Sequence, residues 1–536
     1  MKEEIIKIIK EALSKNNINY KDNIIVEIPT NKINGDFSTN IAMKLASSLK
    51  KSPMEIANSL IKDITGDKIQ DVKVASPGFI NIYLNSEAIL SVINYILNKK
   101  ENFGKNEIGK GKKINIEFVS ANPTGIMHIG NARGGAYGDN LSRILSWCGY
   151  SVNKEYYVND LGNQVKNLGL SLQARYKQAL GIETDMPENG YFGKDIIAMG
   201  ENLAKEYKDT KVTEDLDFFK TYGIEKLLEK IKQDLCEYRV EHDEFTSEKS
   251  IYDTGEIKKV LDYLRKNDYI YDIDGATWFK ATKLNAPRDF VVIKSNKDYT
   301  YLLPDLAHYK LNMAKKYDKM INVLGADHHG YVPGLKTGCE AIGIEKDKVE
   351  IKLLQLVKLI EDSIEIKMSK RSGKVFTLKD LIDEVGVNAA RYYFAAKSLD
   401  TPMDFDIDLA KKKSNENPVY YVCYAYARIC TILNENKIDK YVDKYETIHE
   451  NEAYSILEKL SQFEDIVKES ALKEMPHIIT NYVYDLATLF HSYYSKYRIL
   501  SEDENKTIES LNFIKAIKIT LENALYLIGV LPPTKM

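Results

Sequence analysis

EFVSANPTGIMHIGNARGGAYGD, residues 117–139, is the stretch on which the reading of this chain turns. INIEFV (114–119) leads into it with the alternation of a short strand. Asn122-Pro123-Thr124-Gly125 follows as a turn, and a helix is predicted from about His128 to Trp147. Strand, glycine turn and helix in this order open a nucleotide-binding α/β domain. His128 falls at the helix start, where free N–H groups and the positive end of the helix dipole favour phosphate. Gly125 and Gly130 carry no side chain, so a purine and a phosphate can approach the backbone. His128 and Asn131 share one face of the first turn, and both can donate to phosphate oxygens. Alone, HxGN reads equally well as a Gly-rich helix entry with a capping role; the strand and turn before it favour the phosphate reading.

Further along, EIKMSKRSGK (365–374) crowds Lys367, Lys370, Arg371 and Lys374 around Ser369, Ser372 and Gly373. Such a loop repels itself unless an anion is present, and a triphosphate fits; a solvated basic loop is the plain alternative. FVVIK (290–294), Ile321–Leu324 and VEIKLL (349–354) read as strands. Alternating with helices, they predict a parallel sheet. Residues 165–260 are mostly helical and charged and read as an insertion.

Outside this region the pattern changes. MKEEIIKIIKEAL at the N-terminus is an amphipathic helix rather than a signal peptide. A loop at Asn34-Gly35-Asp36, a helix from Thr39 to Leu49 and VKVASPGFINIYL (72–84) complete a small α+β domain. From about Ser414 long helices take over. SNENPVYYVCYAYARICTIL offers Ser or Asn as caps, with Pro418 in the first turn. The expected fold is therefore a Rossmann-like α/β catalytic domain with a parallel sheet, a small N-terminal α+β domain and a C-terminal all-α bundle. The expected divisions are 1–84, a helical connector 85–110, 111–410 with the insertion at about 165–260, and 411–536.

The chain has 536 residues, long enough for several cores, and is 44% hydrophobic and 29% charged, as a globular protein is. Its net charge of −3 gives no nucleic-acid signal, so any such partner must meet basic residues gathered on one face. The five cysteines form no CxxC pair and no zinc-ligand spacing, as expected of reduced cytosolic thiols. No apolar run reaches membrane-spanning length, so a soluble cytoplasmic protein without a membrane partner is expected.

HIGN (128–131) and KMSK (367–370), in that order and about 240 residues apart, resemble the signature pair of class I aminoacyl-tRNA synthetases. The resemblance makes His128, Asn131, Lys367 and Lys370 the catalytic residues. It puts Gly125, His128, Gly130, Asn131, Met368 and Lys370 at the ATP, and Gly325 and Asp327 of GADHHGYVPGLK (325–336) at its ribose. The family pattern usually ends in His where this chain has Asn131. Asn still donates a hydrogen bond but carries no charge; phosphate binding needs donors, so activity is expected to survive.

Among these enzymes the chain is similar to arginyl-tRNA synthetases. EFVSANPTGIMHIGNAR, YYVNDLGNQV (156–165), TYLLPDLAHYK (300–310), NPVYYVCYAYARI (417–429), YDLATLFHSYY (484–494) and GDFSTNIAMKLA (35–46) carry the likeness across the whole chain. It implies an arginine pocket formed by Glu117, Asn122, Tyr301 and Asp305, with His328 near a further contact. A guanidinium, a planar fork of donors, is best met by carboxylates. Read without the resemblance, Glu117 and Asp305 are ordinary surface acids, each free to pair with a nearby cation. The implied reaction joins arginine to tRNA(Arg) through an adenylate, using ATP with Mg²⁺ as substrate and no dedicated protein-bound metal. The implied enzyme is a monomer. Phe79 and Asn81 match positions that meet an unpaired D-loop base, and Met536 matches an ending near the anticodon. Phe79 reads equally as a core aromatic.

Three other readings fit less well, the first being another class I synthetase. The cysteinyl enzyme needs zinc-binding cysteines at its pocket, and the class I lysyl enzyme needs one ammonium partner rather than the Glu117/Asp305 pair. A silent tRNA-binding paralogue has no use for His128, Lys367 and Lys370. A small nucleotidylyltransferase needs neither terminal domain.

Overall fold

The strand predicted at 114–119 lies in the middle of a five-stranded sheet in the computed structural model, which describes residues 2–29, 31–366, 376–436 and 440–536. The strands are β1 (Lys113–Glu117), β2 (Ser151–Val158), β3 (Glu244–Ser247), β4 (Lys319–Gly325) and β5 (Val349–Leu354). All pair in parallel, in the order β5-β4-β1-β2-β3. The chain leaves β1 toward one edge and returns to its other side through β4. The carboxyl end of β1 is therefore a topological switch point, where ligands bind open α/β sheets. Helix α1 (Ile129–Trp147) follows β1 and packs closely on it. A Cβ at Gly138 would stand 2.1 Å from the ring of Phe118, so only glycine permits that approach.

Two expectations are corrected here. The stretch 165–260 is not all insertion, because EFTS (244–247) is β3, paired from Glu155↔Glu244 to Val158↔Ser247. The helices Gly162–Ala179, Lys194–Tyr207 and Leu216–Glu237 form the inserted unit, with a core of their own around Leu168, Leu172, Tyr176 and Phe219. FVVIK does form a strand, Phe290–Ile293, but not in the parallel sheet. It joins Ile270–Ile273 and Ala276–Phe279 in a separate antiparallel sheet. The hairpin there turns at Asp274-Gly275, both at positive φ, a strong short-range signal for antiparallel pairing.

The N-terminal region is a four-stranded antiparallel sheet flanked by helices Lys2–Lys15, Ile41–Leu49 and Pro53–Leu60, closed over Ile5, Ile9, Phe37, Ile80 and Ile82. Among the described residues of the C-terminal region the regular elements are all helices. Its first helix, Pro418–Glu435, starts at Asn417, whose side chain accepts from the Val419 N–H, with Pro418 in the first turn as predicted. One apolar cluster runs from Ile116 and Phe118 to Phe490 and Ile514, so the bundle and the catalytic sheet share a core.

A buried cation ties these parts together. Arg391, on helix α3 (Leu378–Ala395), is fully buried. It donates to Asp139 (2.6 Å) and Asn140 (2.5 Å) on α1, to the carbonyls of Tyr238 (3.3 Å) and Arg239 (3.0 Å), and to that of Ile528 (3.3 Å). A buried charge is tolerated only when paired and hydrogen-bonded, and Arg391 is both.

Candidate active site

Helix α1 begins at His128, whose Nδ1 accepts from the Gly130 N–H at 3.1 Å. A ring that accepts at Nδ1 carries its proton on Nε2 when neutral. Asn131 closes a reciprocal cap: its Oδ1 accepts from the His128 N–H at 3.0 Å. That bond uses the oxygen and leaves the amide N–H groups as donors. Gly130 proves to have a local purpose, since a Cβ there would stand 3.0 Å from the His128 ring; at Gly125 a Cβ would meet open space.

The segment that follows the basic run, from Thr377, lies against this helix start. Lys367, Met368 and Lys370 lie outside the described residues. Before them, the Ile366 N–H bonds the Leu359 carbonyl; after them, Thr377 bridges His128 and the Leu378 N–H bonds the Met127 carbonyl at 2.9 Å. Thr377 and Asp380 cap each other at the start of α3. Arg133 holds the same neighbourhood from below, donating to the carbonyls of Gln355, Ser398 and Thr401.

A second centre sits at the carboxyl end of β1. Glu117 is buried and accepts from Ser120 (3.1 Å) and Asn322 of β4 (3.0 Å). The chain turns just after it through positive φ at Val119 and Ser120, an unusual conformation for a β-branched residue. Ser120 is thereby also brought to accept from the Tyr157 N–H of β2. Helix α2 (Leu302–Ala314) carries Asp305 in its first turn, with Tyr301 just before the helix and largely exposed. Asp305 is half-buried and accepts from the Tyr331 hydroxyl. The surface reading of these two acids therefore fails. Asn122 bonds Gln164 and Asn159. Gly325 ends β4, Asp327 is exposed, and His328 is half-exposed, 4.0 Å from Asp327.

Sequence reasoning missed the groups behind these acids. Glu155 of β2 is completely buried and accepts from Asn115 (2.6 Å), Thr246 (2.5 Å), His308 (2.7 Å) and Asn312 (3.0 Å). Glu248, also buried, lies close enough to Asp305 to disfavour its charge. Burial first, then neighbouring carboxylates, pushes Glu117 above the usual carboxylate range. Burial likewise raises Asp305 to about 6 and Glu248 to about 7. Burial opposes charge on Glu155 too, but His308, Thr246 and Asn115 outweigh it and hold this carboxyl down. Several acids left short of positive charge form a seat for a cation. Glu117, Glu155 and His308 also present ligand atoms within 4.8 Å of one another, the one such group among the described residues. Glu155 already has four donors, which fits a hydrogen-bonded network better than a metal.

The remaining expected residues lie on the terminal regions. Phe79 is half-buried and outside the N-terminal core, which removes the core reading. Asn81 is buried and accepts from Ser38 at 2.8 Å. Met536 is exposed.

Comparisons with known proteins agree along the whole chain. Residues 3–84 match the family model described as the arginyl tRNA synthetase N terminal domain, residues 92–445 the class I (R) tRNA synthetase catalytic domain, and residues 422–536 the DALR anticodon binding domain. The arginine–tRNA ligase of Bacillus subtilis (strain 168) is 47% identical over 525 residues, covering 96% of this chain and 94% of that one. Arginine–tRNA ligase 1 of Halalkalibacterium halodurans is 44% identical over 548 residues, covering 100% and 98%. The solved arginyl-tRNA synthetase of Thermus thermophilus superposes with a TM-score of 0.77 over all of both chains; at 18% identity it speaks for the fold alone. Among the described residues no helix is long and apolar enough to cross a membrane. Matched from end to end by these models and relatives, the chain belongs to the arginyl-tRNA synthetase family.

Proposed function

We propose that the acids at the end of β1 and the start of α2 seat the guanidinium of L-arginine, while the start of α1 and the basic run 367–374 seat ATP. The enzyme is an arginine–tRNA ligase. The arginine carboxylate attacks the α-phosphate of ATP, forming the mixed anhydride and expelling pyrophosphate. A hydroxyl at the 3′ end of tRNA(Arg) then attacks the activated carbonyl, and AMP leaves. No protein nucleophile is needed, and catalysis consists of in-line positioning and charge stabilisation.

The observation that carries the arginine assignment is the pairing of Glu117 and Asp305, both short of positive charge at one end of the sheet. A fork of N–H donors with a delocalised positive charge answers both. Asn122 and Tyr301 border this seat, and His328 lies on the loop after β4. Gly125, Gly130, Asn131 and His128 meet the nucleotide, with Gly325 and Asp327 toward its ribose. Lys367, Met368 and Lys370 act on the departing pyrophosphate. Magnesium arrives with the ATP. Phe79, Asn81 and Met536 meet the tRNA, from the N-terminal region (1–84) and the helical region (411–536) that flank the catalytic one. The enzyme works as a cytoplasmic monomer. Aminoacylation of total tRNA, assayed with each standard amino acid in turn, tests the assignment: only arginine should be transferred, and transfer of any other amino acid at a comparable rate would refute it.

A further inference from the structure

Glu117 and Glu155 stand directly opposite each other on neighbouring strands of the parallel sheet, and both are buried. Like charges in that register repel, and burial removes the water that would screen them. One side chain lies between them. His308, on α2 one turn beyond Asp305, places Nε2 at 2.7 Å from Glu155 and Nδ1 at 3.9 Å from Glu117. It is itself buried. A neutral imidazole would leave three carboxylates, those of Glu117, Glu155 and Asp305, facing a single guanidinium. An imidazolium matches Glu155 and leaves two acids for the substrate.

We propose that His308, held as a cation by Glu155, is a positioning residue of the arginine pocket: it eases the ionisation of Glu117 when arginine binds and keeps that acid turned to the substrate, without touching the substrate itself. This rests on the assignment of Glu117 and Asp305 to arginine. Geometry gives the ring two acidic neighbours on two strands, with Asp305 on its own helix. Asn312, on the next turn, donates from Nδ2 to the same Glu155 carboxylate at 3.0 Å and so braces the ring's partner, and Tyr157 lies against the ring at 5.1 Å between centroids. The other titratable groups around the cluster are Glu248, Tyr157, Tyr309, Tyr331 and Cys339, all neutral or acidic. His328 lies close enough to Asp305 to favour charge on that acid. Burial works against charge on the ring, but Glu155, then Glu117 and Asp305, raise it above the ordinary histidine value.

The test compares His308→Gln and Glu155→Gln with the wild-type enzyme in tRNA aminoacylation from about pH 6.5 to 8.5. Both variants should raise the KM for arginine on the order of tenfold near pH 7, with kcat and the KM for ATP changed less than about twofold. The loss should shrink at the alkaline end, because Glu117 then ionises without help. A KM defect independent of pH, or a fall in kcat with the arginine KM unchanged, would overturn the proposal. Should either variant fail to fold, the ¹⁵N-histidine spectrum of the full-length wild type decides: one of its eight histidines should remain doubly protonated above about pH 8. If all titrate below about pH 7, His308 is not a standing cation. Failure of the underlying assignment looks different, since the wild type itself would then not depend on arginine.

Discussion

The Tyr331 hydroxyl donates to the Asp305 carboxylate across 2.5 Å, so the acid at the start of α2 is aimed by a residue from the following helix region. Asp305→Asn should weaken arginine binding by about 2–4 kcal/mol, because a desolvated guanidinium loses a charge-assisted partner. Tyr331→Phe should cost about 1 kcal/mol in the same direction. The arginine KM, measured beside the ATP KM, checks both. Equal losses for the two substrates would make Asp305 a structural residue.

Asn131 tests the departure from the family's usual histidine. Asn131→Asp keeps an oxygen that can accept from the His128 N–H, so helix capping, worth about 1 kcal/mol, should survive and the melting temperature should barely move. The added negative charge faces the place proposed for phosphate, and the ATP KM should rise on the order of tenfold. A large drop in melting temperature with an unchanged ATP KM would assign Asn131 to capping alone.

Glu117, Asp305 and Glu248 hold protons in the folded chain that the unfolded chain gives up in the ordinary carboxylate range of 3.8–4.5. Their contribution to stability is full below that range and is lost as pH rises through about 6 to 7. Bound arginine supplies the missing positive charge, so it should expel protons near about pH 6.5 and raise the melting temperature more at pH 8 than at pH 5.5. Calorimetry in buffers of different ionisation enthalpy reads the proton count. Binding without proton release would mean that these acids are already ionised.

Gly529 sits at φ 68°, and a Cβ there would fall 2.0 Å from Nε of Arg391. Gly529→Ala should therefore destabilise the fold by several kcal/mol, combining backbone strain with displacement of a buried cation. Chemical denaturation of the full-length protein would show it, and a change under about 0.5 kcal/mol would refute the packing described.

The architecture was largely legible because it rests on local signals: the strand–turn–helix at 114–147, the cap at Asn417-Pro418, and the ladder around Pro77-Gly78 in the N-terminal sheet. What misled was long-range pairing. EFTS is short and shows no clear alternation, and only its register against β2 makes it a strand of the main sheet. FVVIK has a sound strand pattern, but its partner is the strand that follows the Asp274-Gly275 turn upstream, a pairing that its own residues do not announce. At the candidate site, Glu117 and Asp305 were reached through a resemblance. Glu155 and His308 carried no such mark: they lie 153 residues apart in sequence, and a buried acid becomes conspicuous only when its partners are seen. The turn at Val119-Ser120 was equally hidden, because left-handed backbone without glycine leaves no trace in composition.

Arg391 also constrains how the chain can be made. Its partners arrive on a timetable: Asp139 and Asn140 early in synthesis, the Tyr238 and Arg239 carbonyls next, and the Ile528 carbonyl long after Arg391 itself. A ribosome shields the most recently joined residues, so the final carbonyl becomes available long after the guanidinium itself. Until then the guanidinium is without one of its acceptors, and the junction of α1, α3 and the bundle stays incomplete. The nascent chain thus carries a lock whose last tumbler is Ile528, and a chain cut short before it should be open to proteolysis around α1 and α3.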